Sequence, residues 1–237
     1  MDGRRRIRAL LLCALLLLPC AAHAAPGAAP GWNPKSEPDA RRQALSLFLY
    51  CAFHVEYAPP EPLLLSRWDQ EINIWMGGSP TRQDRETLDS FLRELQEKVH
   101  GLPAIRRVRE DRNANLRMWF IPTFSMGWYL ENYVEGNQGF FSYKYDRQHR
   151  ISSATILISS DDTTQEVRNH LILEELTGAL GLPGDHLKYE DSILYQKWTT
   201  VQQLSDVDWR MLNCLYDPRL RPGMSEQEAR EALQKPV

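Results

Sequence analysis

One predicted helix, from about Thr163 to Leu180, holds most of the residues that could do chemistry. Ile172, Leu173, Leu176, Ala179 and Leu180 gather on one side of its wheel as a core face. His170, Glu174 and Gly178 fall in an i, i+4, i+8 row on the other side, with Glu175 at its flank. An imidazole and a carboxylate four residues apart can share an ion pair, a ligand or a metal. Past the helix, His186, Glu190 and Asp191 add further ligand types. Two readings stand at this point. In one, His170 is a partly exposed helical histidine salt-linked to Glu174, His186 lies on a surface loop, and Glu175 is a structural carboxylate. In the other, His170, Glu174 and His186 converge on zinc, since a catalytic zinc takes three protein ligands and keeps one open position.

Other chemistries lack their signatures. The chain has no G-x-S-x-G elbow, no phosphate-binding loop and no dinucleotide fingerprint. The 237 residues carry 28 Lys+Arg against 31 Asp+Glu, so no basic excess points to nucleic acid. Arg106, Arg107 and Arg109 form a small cluster, read as a solvated loop.

The elements that must position the helix follow from periodicity. Ala44, Leu47, Phe48 and Cys51 make a helical stripe, closed by Pro59, Pro60 and Pro62. Glu71 to Met76 alternates as a strand. Gly77 to Pro80 turns into a helix with Ser79 as the expected cap and Pro80 at its first position. Leu88, Phe91, Leu92, Leu95 and Val99 line that helix, and Gly101 stops it. Residues 115–121, 140–145 and 153–159 read as three more strands, the last two joined by a polar hairpin turn over residues 146–150. The loop between residues 122 and 139 carries Trp128, Tyr129 and Tyr133, read as packing over the sheet rather than as a binding rim. After the 163–180 helix comes an irregular stretch to Thr200, then a helix capped by Ser205 with Asp208 completing a capping box. This order predicts one α+β domain with helices packed on a mixed twisted sheet.

The N-terminus reads as an address. Arg4, Arg5, Arg6 and Arg8 precede an apolar run from Ala9 to Leu18 and a small-residue stretch ending Ala22-His23-Ala24. That is a signal peptide over residues 1–24, with cleavage expected after Ala24. The competing lipoprotein reading through Cys20 is disfavoured by Pro19. Adjacent arginines are compatible with a twin-arginine route. Export places the product in the periplasm or outside the cell. Removing the segment leaves 24 basic and 30 acidic residues. It also leaves two cysteines, Cys51 and Cys214, either one disulfide or two unpaired thiols. Residues 25–38 form an Ala/Pro/Gly-rich linker, residues 39–225 the domain and residues 226–237 a tail. No span of a membrane is expected after cleavage.

The stretch from Glu174 to Leu182 resembles the active-site helix of the metzincin zinc peptidases, whose pattern is H-E-x-x-H-x-x-G-x-x-H before a Met-containing turn. The overlay puts Glu174 at the first ligand, Glu175 at the general base and Gly178 at the second ligand. Gly181 takes the motif's turn and Gly184 the third ligand. Asp191-Ser192-Ile193-Leu194-Tyr195 resembles the Met-turn with Leu194 in place of methionine, which adds Asp191, Ser192 and Tyr195 to the residues implied to line a site. The helix ending at Leu215-Tyr216 resembles the one that closes such a domain. A closer resemblance is to an exported bacterial family, the domain of unknown function 2927 family. Its E-E-L-T-Q-x-L-G-L, D-S-I-[FL]-x and L-Y-D-P-R-L-x-P-G-M segments match residues 174–182, 191–195 and 215–224, with Gly178 departing from the usual Gln. The likeness covers residues 65–225.

The resemblance implies a zincin-like fold whose zinc-binding histidines are absent. The expected cofactor is then none, and the expected role is a non-catalytic module binding an envelope protein or peptide. The alternative is a zinc-dependent, peptidase-like hydrolase using His170, Glu174 and His186 with Glu175 as its base.

Overall fold

The computed structural model describes residues 33–55 and 62–235, together with the backbone of Arg6–Ile7. The rest of the expected signal peptide and most of the expected linker lie outside the described residues. The elements are β1 (Arg6–Ile7), α1 (Glu37–Phe53), β2 (Ile72–Gly78), α2 (Arg82–Lys98), β3 (Ile105–Arg107), β4 (Leu116–Ile121), β5 (Gly139–Tyr145), β6 (Ile151–Ser159), α3 (Gln165–Ala179), α4 (Asp206–Leu215) and α5 (Glu226–Gln234). The α+β class expected from the element order is the observed one.

The sheet order is β1-β5-β6-β4-β2-β3. β3, β2, β4 and β6 run parallel, while β5 returns antiparallel to β6 through the expected hairpin. That hairpin closes on the Asp146 carboxylate, which accepts from Gln148 N and Arg150 N, with His149 at φ 61°. Alternation sends Ile72, Ile74, Leu116, Met118, Phe120, Ile156 and Ile158 to the helical side, all nearly fully buried. Ile121, Met126, Phe140 and Leu157 form a second, smaller core on the other side, under the loop that precedes β5. Tyr133 packs edge-on against Phe140 there, as expected of a sheet-covering aromatic. Trp128 does not: it is 78% exposed, T-stacked on the equally open Phe124.

Three local expectations need correction. α2 starts after Thr81, not Ser79, because Thr81 and Asp84 form a reciprocal capping box that Ser79 cannot make. The Arg106–Arg107 segment is an edge strand rather than a loop. Arg107 lies bidentate on Asp89, and Arg106 pairs with Glu71, so both charges are held at the sheet margin. Residues 226–234 are not a tail but α5, started by a Ser225–Glu228 capping box, with Ala229 and Leu233 buried in the main core. At the other end of the chain, Ser36 caps α1, so the last residues of the expected linker belong to the domain.

Candidate functional site

α3 begins at Thr164, whose hydroxyl accepts from Val167 N. Every residue from His170 to Ala179 is buried. β5 and β6 lie against one face, α2 flanks it, and the 198–202 segment covers the row expected to face solvent. The wheel therefore separates apolar from polar correctly but does not separate buried from exposed. Two side chains far away in sequence close its C-terminal end: Trp68 Nε1 donates to Ala179 O, and the Tyr216 hydroxyl donates to Leu180 O. Its first half is pinned by Arg168, which forms a buried ion pair with Asp84 of α2. Sequence reading passed over Arg168. Its signal was a lone arginine on the helix's core side, legible only once a partner is known.

His170 is 3% exposed, not half-open as expected. Its Nδ1 lies 2.9 Å from Val201 O, and its Nε2 lies 3.3 Å from Glu174 Oε2. A carbonyl can only accept, so Nδ1 carries a proton. Burial pulls the imidazole's pKa down, but the Glu174 hydrogen bond and charge, with the Val201 carbonyl, outweigh it and leave it raised. The salt link expected from i, i+4 spacing is thus present, inside the protein.

Glu175 is 1% exposed and lacks such a partner: its Oε2 makes no hydrogen bond. Its Oε1 lies 2.3 Å from where a Cβ on Gly139 would sit, so a side chain at the start of β5 would displace the Glu175 carboxyl. A void of about 10 Å³, the size of a single water, lies between Gly139, Leu171, Glu174, Glu175 and Trp198. Burial first, then the charges of Glu174 and Asp185, push the Glu175 carboxyl well above the carboxylate range. The fold therefore favours the protonated form of Glu175 over its carboxylate. A general base must be ionised to take a proton, so the geometry opposes the role that the motif assigns to it.

The motif's glycines are there for packing. A Cβ on Gly178 would sit 2.4 Å from Phe141 Cε1, so the Phe141 ring fills the place a second ligand would need. A Cβ on Gly184 would meet His54 O at 2.0 Å, while Gly184 N donates to Cys51 O. Gly181 turns the chain at φ +125°, with Ser66 O at 2.4 Å from its missing Cβ.

His186 is 3% exposed rather than on the surface, and it does not join His170 and Glu174. Its Nδ1 accepts from Lys188 N at 3.2 Å, so its Nε2 carries the proton and donates to Ser192 Oγ at 3.1 Å. Ser192 Oγ also accepts from Leu194 N and donates to Asp208 Oδ1 at 2.5 Å. Asp208 further accepts from Ile193 N and from the N–H and hydroxyl of Ser205. Burial, with Lys188 nearby, lowers the His186 pKa to about 4. The string runs imidazole to hydroxyl to carboxylate. In a nucleophile-activating triad the hydroxyl donates to the imidazole; here it receives from it, and its own proton is committed to the buried Asp208 carboxylate. The string instead ties the 191–195 turn to the first turn of α4. Tyr195 joins it through the backbone bridge to His186, and Asp191 stays half-buried at the rim.

A zinc ion does not fit this donor set. Both nitrogens of His186 and both of His170 are already engaged, and Gly178 and Gly184 have neither donors nor room for them. Among the described residues no three His, Cys, Asp or Glu side chains are grouped to hold a metal ion. Cys51 and Cys214 are both free thiols, so the disulfide alternative is not formed. Burial pushes both thiols up: Cys51 with help from Asp185 and Asp208, and Cys214 to about 12 with help from Asp217, against the pull of Arg41, Arg219 and Arg210.

Comparison with known families decides what the chain is. The family model described as "Protein of unknown function (DUF2927)" matches residues 41–235. The chain belongs to the DUF2927 family. The match runs beyond the 65–225 span read from motifs, taking in most of α1 and all of α5 of the DUF2927 domain. No curated protein matches it. Among solved structures it is similar to one titled "Structure of Myroilysin", at 11% identity and a TM-score of 0.39, over 65% of this chain and 83% of that one. No helix among the described residues is long and apolar enough to cross a membrane.

Proposed function

We propose that this DUF2927 chain is an exported, non-catalytic module that binds an extended peptide or envelope protein on a zincin-like domain without zinc chemistry. The observation that carries the reading is the Phe141 ring packed against Gly178, which leaves no space for a ligand at the second position of the helix motif. The buried Glu175, with Oε2 unpaired and its pKa raised, and the committed nitrogens of His186 support it further. Peptide binding draws support from β5. Its outer edge accepts extended backbone: Arg6–Ile7 pairs antiparallel with Tyr143 and Lys144. Cleavage after Ala24 would remove that segment and free the edge for strand addition by a partner.

The test is elemental mass spectrometry on the purified exported form, with melting curves with and without chelator. The expected result is no stoichiometric metal and superimposable melts. Near-stoichiometric zinc with a large chelator-induced loss of stability would overturn the reading in favour of the hydrolase. Peptide cleavage abolished by Glu175→Gln would then be the assay.

A further inference from the structure

A cavity of about 230 Å³ opens between α1, α4 and α5, using none of the α3 residues. Its wall is mostly apolar: Ala44 and Leu45 of α1, Leu233 of α5 and the Cys214 side chain of α4. Its rim is charged, and the charges are not equivalent. Arg210 lies bidentate on Glu37, with both contacts at 2.8 Å. Arg219 lies bidentate on Asp217 at 2.8 and 2.6 Å and spends its remaining nitrogen on Lys235 O. Both guanidinium groups are thereby paired with a carboxylate in two-point contact. Arg41 lines the same cavity. It acts on Glu37 through space, but among the described residues it makes no hydrogen bond or ion pair. The mouth therefore keeps one uncancelled positive charge above an apolar pocket.

We infer that this cavity binds a short aliphatic carboxylate, with its methylene chain against Ala44, Leu45, Leu233 and Cys214 and its head group on Arg41. The volume lies below the range of drug-sized sites, which limits the ligand to a short chain. Charge complementarity selects the head group: a cationic or neutral amphiphile would leave Arg41 without a counter-ion. Arg41 presents a planar fork that suits a carboxylate in two-point contact.

The cavity contains its own reporter. Cys214 lines it, while Cys51, the other cysteine of the domain, is fully buried. The experiment is calorimetric titration of the purified chain with octanoate, octanamide and octylamine, paired with the rate of maleimide labelling of Cys214, followed over hours at alkaline pH because burial raises its thiol pKa to about 12. Octanoate is expected to bind saturably, to slow Cys214 labelling several-fold, and to outcompete octanamide by at least tenfold. Arg41→Gln, a surface change that leaves the melting curve in place, is expected to remove that preference. Leu45→Trp, which fills the cavity, is expected to remove binding of every probe. No saturable octanoate binding, equal affinity for octanamide, or an unchanged preference in Arg41→Gln would each overturn the assignment. So would octanoate binding that leaves Cys214 labelling unaffected, since that places the ligand elsewhere.

Discussion

Adjacent glutamates on one helix meet opposite fates here because only one has a partner. Glu174 lies against His170, while Glu175 points into a buried corner beside Gly139 with one oxygen unsatisfied. A raised carboxyl pKa has a definite linkage sign. The folded state binds the proton more tightly than the unfolded chain, whose glutamate titrates near ~4.3. The contribution is full below that value and is lost as pH rises toward the folded pKa. Glu175→Gln keeps the shape and removes the titration. The stability of wild type relative to this variant should therefore fall, in matched denaturant titrations, across the window that opens at the unfolded value of ~4.3 and closes at the raised folded one. A difference that stays constant over that window would mean Glu175 is charged in the fold. Gly178 gives a second residue-scale expectation. A Cβ there meets the buried Phe141 ring at 2.4 Å, so Gly178→Ala should cost about 1–3 kcal/mol through overpacking, read as a lower denaturant midpoint at unchanged slope. A stability gain from the better helix former would show that Phe141 can move aside.

At the scale of elements, what could be read from the chain was whatever its own neighbours determine. The four strands β2, β4, β5 and β6, the β5–β6 hairpin and the Ser205–Asp208 box are set by alternation and spacing, and the structure has them. His170 with Glu174 was legible for the same reason, as an i, i+4 pair. Its burial was not, because the cover comes from Val201, thirty-one residues on. Likewise His186 reads as a loop residue until Ser192 and Asp208 arrive from two other segments. That string makes its own prediction. Ser192→Ala removes a hydroxyl that receives from His186 and Leu194 and donates to Asp208. It leaves two buried donors and one carboxylate oxygen short of a partner, a loss of about 1–3 kcal/mol or more. Hydrogen exchange should quicken at Ile193 and Leu194 before the sheet responds. If the amides of β4 and β6 loosened together with the turn, the string would be part of the global core rather than a local clasp.

For the molecule as a whole, the question is where the domain ends. The motifs place its boundary at residue 225, yet the chain continues into α5, and the family match runs to residue 235. α5 closes the structure from one side. Leu233 is 5% exposed, Ala229 is fully buried, and α1 lies against both α4 and α5. Arg219 reaches past the helix to Lys235 O, fastening its end to the segment that follows α4. A chain stopped after Ser225 would lose the burial of Leu233, itself about 1.5–3 kcal/mol, and would expose the side of α1 that carries Ala44 and Leu45. In a domain of this size each kcal/mol moves the melting temperature by about 2–4 °C, so truncation should lower it by several degrees without abolishing the cooperative transition. Far-ultraviolet circular dichroism on the two forms would measure this. The α3 cluster touches none of the deleted residues, so the Glu175→Gln pH dependence should survive in the truncated chain. The cavity wall contributed by Leu233 would be gone, so octanoate affinity should fall along with stability. A truncated form that melts like the full chain would instead make α5 an appendage resting on a core already complete at residue 225.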